Sequence, residues 1–277
     1  MPKVTIGMPV YNGARYLREA LEGLQRQTYS DFEVLICENA SSEDSLAIAQ
    51  DFANSDKRFR VVASAATIPA WDNFARCLEL SDSAYFAWRA YDDYSSNNFI
   101  AVLAEGLDAA PYANLAICDS HTLHVGNGRE RRFAAPALAG ASAAIRRQLL
   151  NHVRAQWFYG LYRREAITPV FNDCHAAYHH EWASDHAMLY PFLVGPQVWT
   201  TNDAWFTQRT GFDRDGKKFS PQQERRIFAA YMSFCSQHLE KADLPRSERL
   251  LLKARLPLEA HRHAFRMTRL LRRAIAG

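Results

Sequence analysis

Long apolar runs are missing from these 277 residues. No stretch reaches the roughly 18 uncharged residues of a membrane span, which excludes insertion by a single apolar helix. Cysteine is sparse as well: Cys37, Cys77, Cys118, Cys174 and Cys235 are scattered, odd in number and form no Cys-x-x-Cys pair. That argues against a disulfide framework or a zinc knuckle and suits a reducing compartment. A surplus of one charge sign is also lacking, since 33 Lys and Arg face 30 Asp and Glu for a net +3, and charge alone therefore indicates no nucleic-acid partner. The opening MPKVTIGMPVYNG has no basic region followed by a long apolar run, so a leader is not expected and a cytoplasmic protein is. Internal repeats and low-complexity tracts are absent.

What is present is ordinary for a folded α/β protein: 48% hydrophobic and 23% charged residues, enough to exclude disorder. Val4 to Val10 is a short apolar, β-branched run ended by Tyr11-Asn12-Gly13, the pattern of a buried strand entering a turn. Tyr16, Leu17, Ala20, Leu21 and Leu24 then recur at helical spacing. Phe32 to Cys37 reads as a second strand, with Ser41 or Ser42 capping a helix that runs to about Asn54. Arg60 to Ala63 is a third strand, Trp71 to Leu80 a helix, and Ala84 to Trp88 a fourth strand stopping at Tyr91-Asp92-Asp93. Strand and helix alternating over short connections predicts right-handed βαβ units and a parallel sheet. Further on we expect a strand at Leu115–Ser120, an Arg-rich turn from Gly126 to Arg132, and a small-residue loop from Pro136 to Ser142. A short helix opens at Arg163-Arg164, another spans Ser184 to Leu193, and the last strands lie near Trp199 and Trp205-Phe206.

Ligands of such sheets bind beyond the carboxyl ends of the strands, and the polar clusters Tyr11-Asn12, Glu38-Asn39 and Asp92-Asp93 all fall there. Adjacent carboxylates at the end of an apolar strand repel each other unless a cation joins them, and hard Mg²⁺ or Mn²⁺ takes carboxylate oxygens while leaving positions for phosphate. A helix cap or a solvated turn is the alternative use of such a pair.

The spaced set Pro9-Val10-Tyr11-Asn12, Gln27-Thr28-Tyr29-Ser30-Asp31-Phe32-Glu33, Glu38-Asn39-Ala40-Ser41, Trp71-Asp72-Asn73-Phe74 and Asp92-Asp93 resembles the inverting family 2 glycosyltransferases over roughly residues 3–212. The resemblance implies a GT-A fold: a Rossmann-like, mostly parallel sheet flanked by helices. It also implies a nucleoside-diphosphate sugar donor, a saccharide or lipid-linked saccharide acceptor, and a role in surface polysaccharide or glycolipid assembly. Pro9, Tyr11 and Asn12 match the loop against base and ribose, where a tyrosine face stacks on a base. Glu38 and Asn39 match an acidic pair that reads base and ribose, the second position being amide here. Trp71 and Asn73 fall among the substrate-binding positions. Asp93 matches the metal carboxylate, with Asp92 on ribose or metal-bound water.

His180-Glu181-Trp182-Ala183-Ser184-Asp185 resembles the family's acidic motif opening a helix, so Asp185 takes the position of the base that deprotonates the acceptor hydroxyl. Glu181 is its rival, and simple helix capping is the plain structural alternative. Gln208-Arg209-Thr210 resembles an Arg-x-His element in which Thr210 stands for the histidine, leaving Arg209 to offset diphosphate charge. Trp157, Tyr159, Tyr162 and Arg163 resemble the segment lining the acceptor side. Cys174, His175, His179, His180 and His186 invite a zinc reading, but the stretch reads as loop and polar cleft wall.

We expect a catalytic domain at 1–215 and a helical appendage at 216–277. The basic, leucine-rich tail, broken in two by Pro257, suits either a peripheral position on an anionic membrane surface or packing on the catalytic domain or a second subunit as a homodimer. A nucleotidyltransferase lacks support because Tyr11-Asn12-Gly13-Ala14-Arg15 carries a single glycine where a triphosphate loop is needed. A non-catalytic nucleotide-sugar binder is the other alternative, suggested by Asn39, Ser184 and Thr210.

Overall fold

A computed structural model describes residues 2–136, 142–178, 183–195, 197–212 and 219–262. The expected roles of His179, His180 and Glu181, and of the basic tail with Phe265, Arg266, Arg269, Leu270, Leu271, Arg272 and Arg273, lie outside the described residues.

The chain runs β1 (Val4–Val10), α1 (Ala14–Gln25), β2 (Phe32–Glu38), α2 (Ser45–Ser55), β3 (Phe59–Ala63), α3 (Ala70–Glu79), β4 (Tyr85–Trp88), β5 (Tyr94–Ser95) and α4 (Phe99–Ala109). It continues through β6 (Leu115–His124), β7 (Arg129–Phe133), α5 (Ala143–His152), a 3-10 turn at Ala155–Tyr159, β8 (Leu161–Arg163) and α6 (Arg164–Ala177). The last elements are α7 (Ser184–Val194), β9 (Val198–Thr210), α8 (Pro221–Lys241) and α9 (Arg246–Ala260). The sheet order is β3-β2-β1-β4-β8-β6-β9-β5, with β7 on β6. β1 pairs in parallel with β2 and β4, β2 with β3, and β6 with β9, while β5, β7 and β8 run against their neighbours. The mostly parallel α/β sheet flanked by helices is therefore the one expected.

β1 is buried along its whole length, as a central parallel strand covered on both faces must be. Pro9 is tolerated within it for a geometric reason. The Gly7 C=O accepts Arg89 N–H on the β4 side and the Val10 C=O accepts Asn39 N–H on the β2 side. Pro9 lies two residues beyond Gly7 and so shares its side, which puts its missing donor where β4 has already turned away.

Two apolar clusters cover the sheet. One holds α1, α2 and α4 against β1 and β2; the other joins α3, α5, α6 and α7 to α8 and α9 through Phe171, Phe192, Tyr231, Phe234, Leu252 and Leu256. The C-terminal helices thus share a continuous core with the region beneath the sheet. A capping box at Ser220 and Gln223 starts α8, and the Arg146–Glu248 ion pair, 3.1 Å, ties α9 to α5.

Several local expectations are corrected. Ser41 and Ser42 do not cap α2, which begins at Ser45 without a side-chain cap. The Ser41 hydroxyl accepts Asn12 N–H, and Ser42 N–H donates to Asn12 Oδ1, so these serines join two loops instead. The Arg-rich turn ends in a strand, because Arg129–Phe133 pairs antiparallel with β6, and its exposed charges suit an edge strand. The stretch carrying Cys174 and His175 is helix rather than loop: α6 continues past Pro169 because Ile167, Phe171 and Cys174 form a buried stripe at helical spacing. Pro257 likewise does not end α9, where burial of Leu252, Leu256 and Ala260 outweighs the one lost backbone hydrogen bond. Helices α4 and α5 and the short strands β5 and β8 went unread, the strands because two or three residues carry no period.

Candidate active site

The carboxyl ends of β1 and β2 are knitted together. Asn12 adopts φ 49° and Ala40 φ 54°, unusual for residues other than glycine and concentrated at functional turns. The Glu38 carboxylate accepts the N–H groups of Ala40 and Ser41 at 3.1 and 2.8 Å, folding the loop back over its own strand end. Asn39 is buried and makes two reciprocal bonds with Ile68: its Nδ2 donates to the Ile68 C=O and its Oδ1 accepts the Ile68 N–H, both at 2.9 Å. Arg76 holds the same corner from below by donating to the carbonyls of Glu38, Val62 and Ala63. Tyr11 stands out from this rigid base at 46% exposure, its ring open to a planar ligand.

Asp92 and Asp93 lie just past β4 and are almost fully buried, at 4% and 1% exposure. β9 clamps their turn. The Arg209 N–H donates to Asp93 Oδ1 at 2.8 Å, and the Arg209 guanidinium donates to the Asp92 C=O and to Glu19. That guanidinium lies 4.9 and 4.7 Å from the ring centres of Tyr16 and Tyr94, so it supports the turn through both terminal nitrogens and two aromatic neighbours. Burial, reinforced by the Asp92 charge, pushes the Asp93 carboxyl well above its usual range, against the N–H of Arg209 and the charges of Arg89 and Arg209. Arg89 is itself lowered to about 10 by burial and sits 4.9 Å from the rings of Phe99 and Phe206. Two buried carboxylates, one of them held well above its usual range, are hard oxygen donors of the kind a divalent cation fits. Among the described residues no group of three or more His, Cys, Asp or Glu could hold a metal, so Asp92 and Asp93 furnish only part of a coordination shell.

Asp185 has a different setting. It lies in the first turn of α7, behind Ala183 in the left-handed region at φ 62°. Its side chain is 35% exposed, and Oδ1 accepts the His186 N–H at 2.8 Å and lies 3.1 Å from His186 Nδ1. Partial burial works against its charge, but the His186 imidazole and these hydrogen bonds outweigh it and hold the carboxyl below its usual range.

Not every expected residue faces open space. Trp157 is 3% exposed within the core. Trp71 packs on Phe74, Phe158 and Phe171, and buried Asn73 donates to the Cys37 C=O at 2.8 Å. His175 bonds Asp72 at 2.8 Å across α6 and α3. Arg89, Glu19, Tyr94 and Ile68, and the place of Tyr16 beside Arg209, have no counterpart among the sequence expectations. Only Arg89 left a signal, as an arginine closing the apolar strand just before the aspartates.

The model of the family described as "Glycosyl transferase family 2" matches residues 5–178. The chain belongs to that family. Among curated relatives it is 30% identical over 95 residues to EpsE of Bacillus subtilis (strain 168), covering 34% of each chain. It is 35% identical over 63 residues to chondroitin synthase of Escherichia coli, covering 23% of this chain and 9% of that one. The chain thus matches about a third or less of the length of these relatives. Among solved structures, S. aureus TarS 1–349 in complex with UDP-GlcNAc aligns over 95% of this chain and 73% of that one, with TM-score 0.67 and 16% identity. The mannosyltransferase PcManGT of Pyrobaculum calidifontis, in complex with GDP-Man and Mn²⁺, aligns over 93% and 80% with TM-score 0.52 and 13% identity. At such identities the likeness establishes the fold, a GT-A-like glycosyltransferase fold. This family 2 member carries its polar clusters at the strand ends where that fold leaves room for a ligand.

Proposed function

We propose that this chain transfers a sugar from a nucleoside-diphosphate donor to a hydroxyl acceptor with inversion at the anomeric carbon, in polysaccharide or glycolipid assembly. The observation that carries the reading is the pairing of two carboxylate sites of opposite character: a buried Asp92-Asp93 turn clamped by Arg209, and a depressed, partly exposed Asp185 at the start of α7. Family membership and the UDP-GlcNAc, UDP and GDP-Man complexes of proteins with the same fold support the donor class.

Tyr11 offers a stacking face to the base, and the loop after Glu38 borders the ribose. Asp93, with Asp92 beside it, would hold Mg²⁺ or Mn²⁺, which when bound neutralises charge on the departing diphosphate. Arg209 keeps that turn rigid. Asp185, ionised at neutral pH, takes the proton of the acceptor hydroxyl as that oxygen attacks the face opposite the diphosphate. At the C-terminal end, Leu250, Leu251 and Leu258 are exposed on α9 at 51–63%. No helix among the described residues is long and apolar enough to cross a membrane. Peripheral contact with an anionic lipid surface follows as part of the proposal, its check being salt-sensitive binding to anionic vesicles.

A thermal-shift screen of UDP-, GDP-, dTDP- and CMP-sugars with and without Mn²⁺ tests the donor reading. A ligand that binds only the folded state stabilises it by RT ln(1 + [L]/Kd). One base should stand out and should need the metal. Equal, negligible shifts for all four would overturn the reading.

A further inference from the structure

Asn39 sits where the acidic pair of the proposed donor site ends, yet its amide is already spent. Both of its functional atoms bond one backbone unit, the N–H and C=O of Ile68, in a two-point pairing that mimics a rung between strands. Only a side chain that donates and accepts on the same edge can do this; an ionised aspartate accepts alone and would set an oxygen against the Ile68 carbonyl. The side chain is 2% exposed, and its own N–H donates to Val10 at 2.9 Å, so both its backbone and its amide are fixed.

Ile68 belongs to the segment between β3 and α3, residues 64–69, in which Ala65, Ala66, Thr67 and Pro69 are exposed. The segment has few other anchors: Ser64 N–H bonds the Glu38 C=O at 2.8 Å, and Thr67 Oγ1 reaches the Ala40 C=O at 3.5 Å. At its far end the Pro69 C=O accepts the Asn73 N–H at 3.1 Å as α3 begins, so without the Asn39 pair the segment would be an exposed loop held mainly at its two ends. With the pair, it is pinned beside the Glu38–Ser41 turn at the carboxyl ends of β2 and β3.

We infer that Asn39 is a positioning residue that staples the 64–69 segment against the strand ends as one wall of the nucleoside site, so that this segment, rather than the Asn39 side chain, faces the base. The inference rests on the donor reading above and adds where base selection resides.

The test compares Asn39→Ala and Asn39→Asp with the unmodified chain, using amide hydrogen exchange at Ile68 in nucleotide-free protein and affinities for UDP, GDP, dTDP and CMP with Mn²⁺. Loss of these two bonds should speed Ile68 exchange by about tenfold or more, and affinity should fall for whichever nucleotide binds without a change in rank. Asn39→Asp retains the shape and guards against a folding failure of the alanine variant; it should also speed exchange, because the donor to the Ile68 carbonyl is gone. Unchanged Ile68 exchange in both variants would overturn the staple. Faster exchange with unchanged nucleotide affinity would overturn the role as a wall of the site. A changed base ranking in Asn39→Asp would show that residue 39 reads the base directly and would also overturn the inference. If the unmodified chain binds none of the four nucleotides while Ile68 exchange responds, the staple stands and the donor reading fails, taking the nucleoside role with it.

Discussion

Asp93 and Asp185 carry the same functional group in opposite surroundings. Asp93 is sealed at 1% exposure beside a second carboxylate and raised by burial; Asp185 is a third exposed, faces an imidazole and is depressed. A carboxylate that is costly to ionise alone becomes useful when a cation arrives, whereas one that is cheap to ionise is a standing proton acceptor. The environments thus set two carboxyls of one residue type on opposite sides of the ordinary value, as the proposed split between a cation ligand and a base requires.

The sharpest way to break this contrast is at Asp93. Asp93→Asn keeps an oxygen for the Arg209 N–H but removes the buried charge, so sugar transfer should be abolished while the metal-free protein melts higher, by a few degrees on the scale expected for about 1 kcal/mol. Turnover assays and calorimetry without divalent ions check both halves. Normal turnover would end the metal assignment. Asp185→Asn should slow transfer by roughly 10²–10⁴-fold with little change in donor affinity; an equal loss of binding would identify a helix cap instead.

His186 sharpens the contrast further. Because it depresses Asp185, the acid limb of the rate profile should lie below the ordinary carboxylate value of about 4. Its contribution to stability is present above that value and lost as pH falls through the depressed one. His186→Ala removes the stabilising partner, so the acid limb should move upward in pH while turnover at neutral pH changes by less than in Asp185→Asn. A fixed limb would separate His186 from the base. The smallest expected effect is at Tyr11, which is 46% exposed: Tyr11→Ala should weaken donor binding by about 1–3 kcal/mol, the usual worth of a base stack, and leave the melting temperature nearly unmoved.

Legibility in the sequence followed the range of the interactions. β1, β2 and the aspartate turn could be read because each is a local pattern, an apolar run ended by polar residues. Asp185 could be placed because its motif opens a helix. The clamp could not, since Arg209 meets Asp92 across 117 positions and nothing local in Gln208-Arg209-Thr210 says that its guanidinium turns toward α1 rather than toward a ligand. The Asn39 pairing is illegible for the same reason: the Ile68 N–H and C=O that its amide meets are backbone groups, and backbone carries no sequence signature. Pro169 and Pro257 misled in the other direction, because local propensity was outweighed by a buried stripe on each helix.

The β9 clamp also has a consequence in time. A ribosome adds about 5–20 residues per second, and Arg209 follows Asp93 by 116 positions. An emerging chain therefore displays the strand ends of its first half for roughly 6–23 seconds before the residue that steadies the aspartate turn has been made. The aspartate turn is completed late in synthesis, after most of the strands that support it have been made.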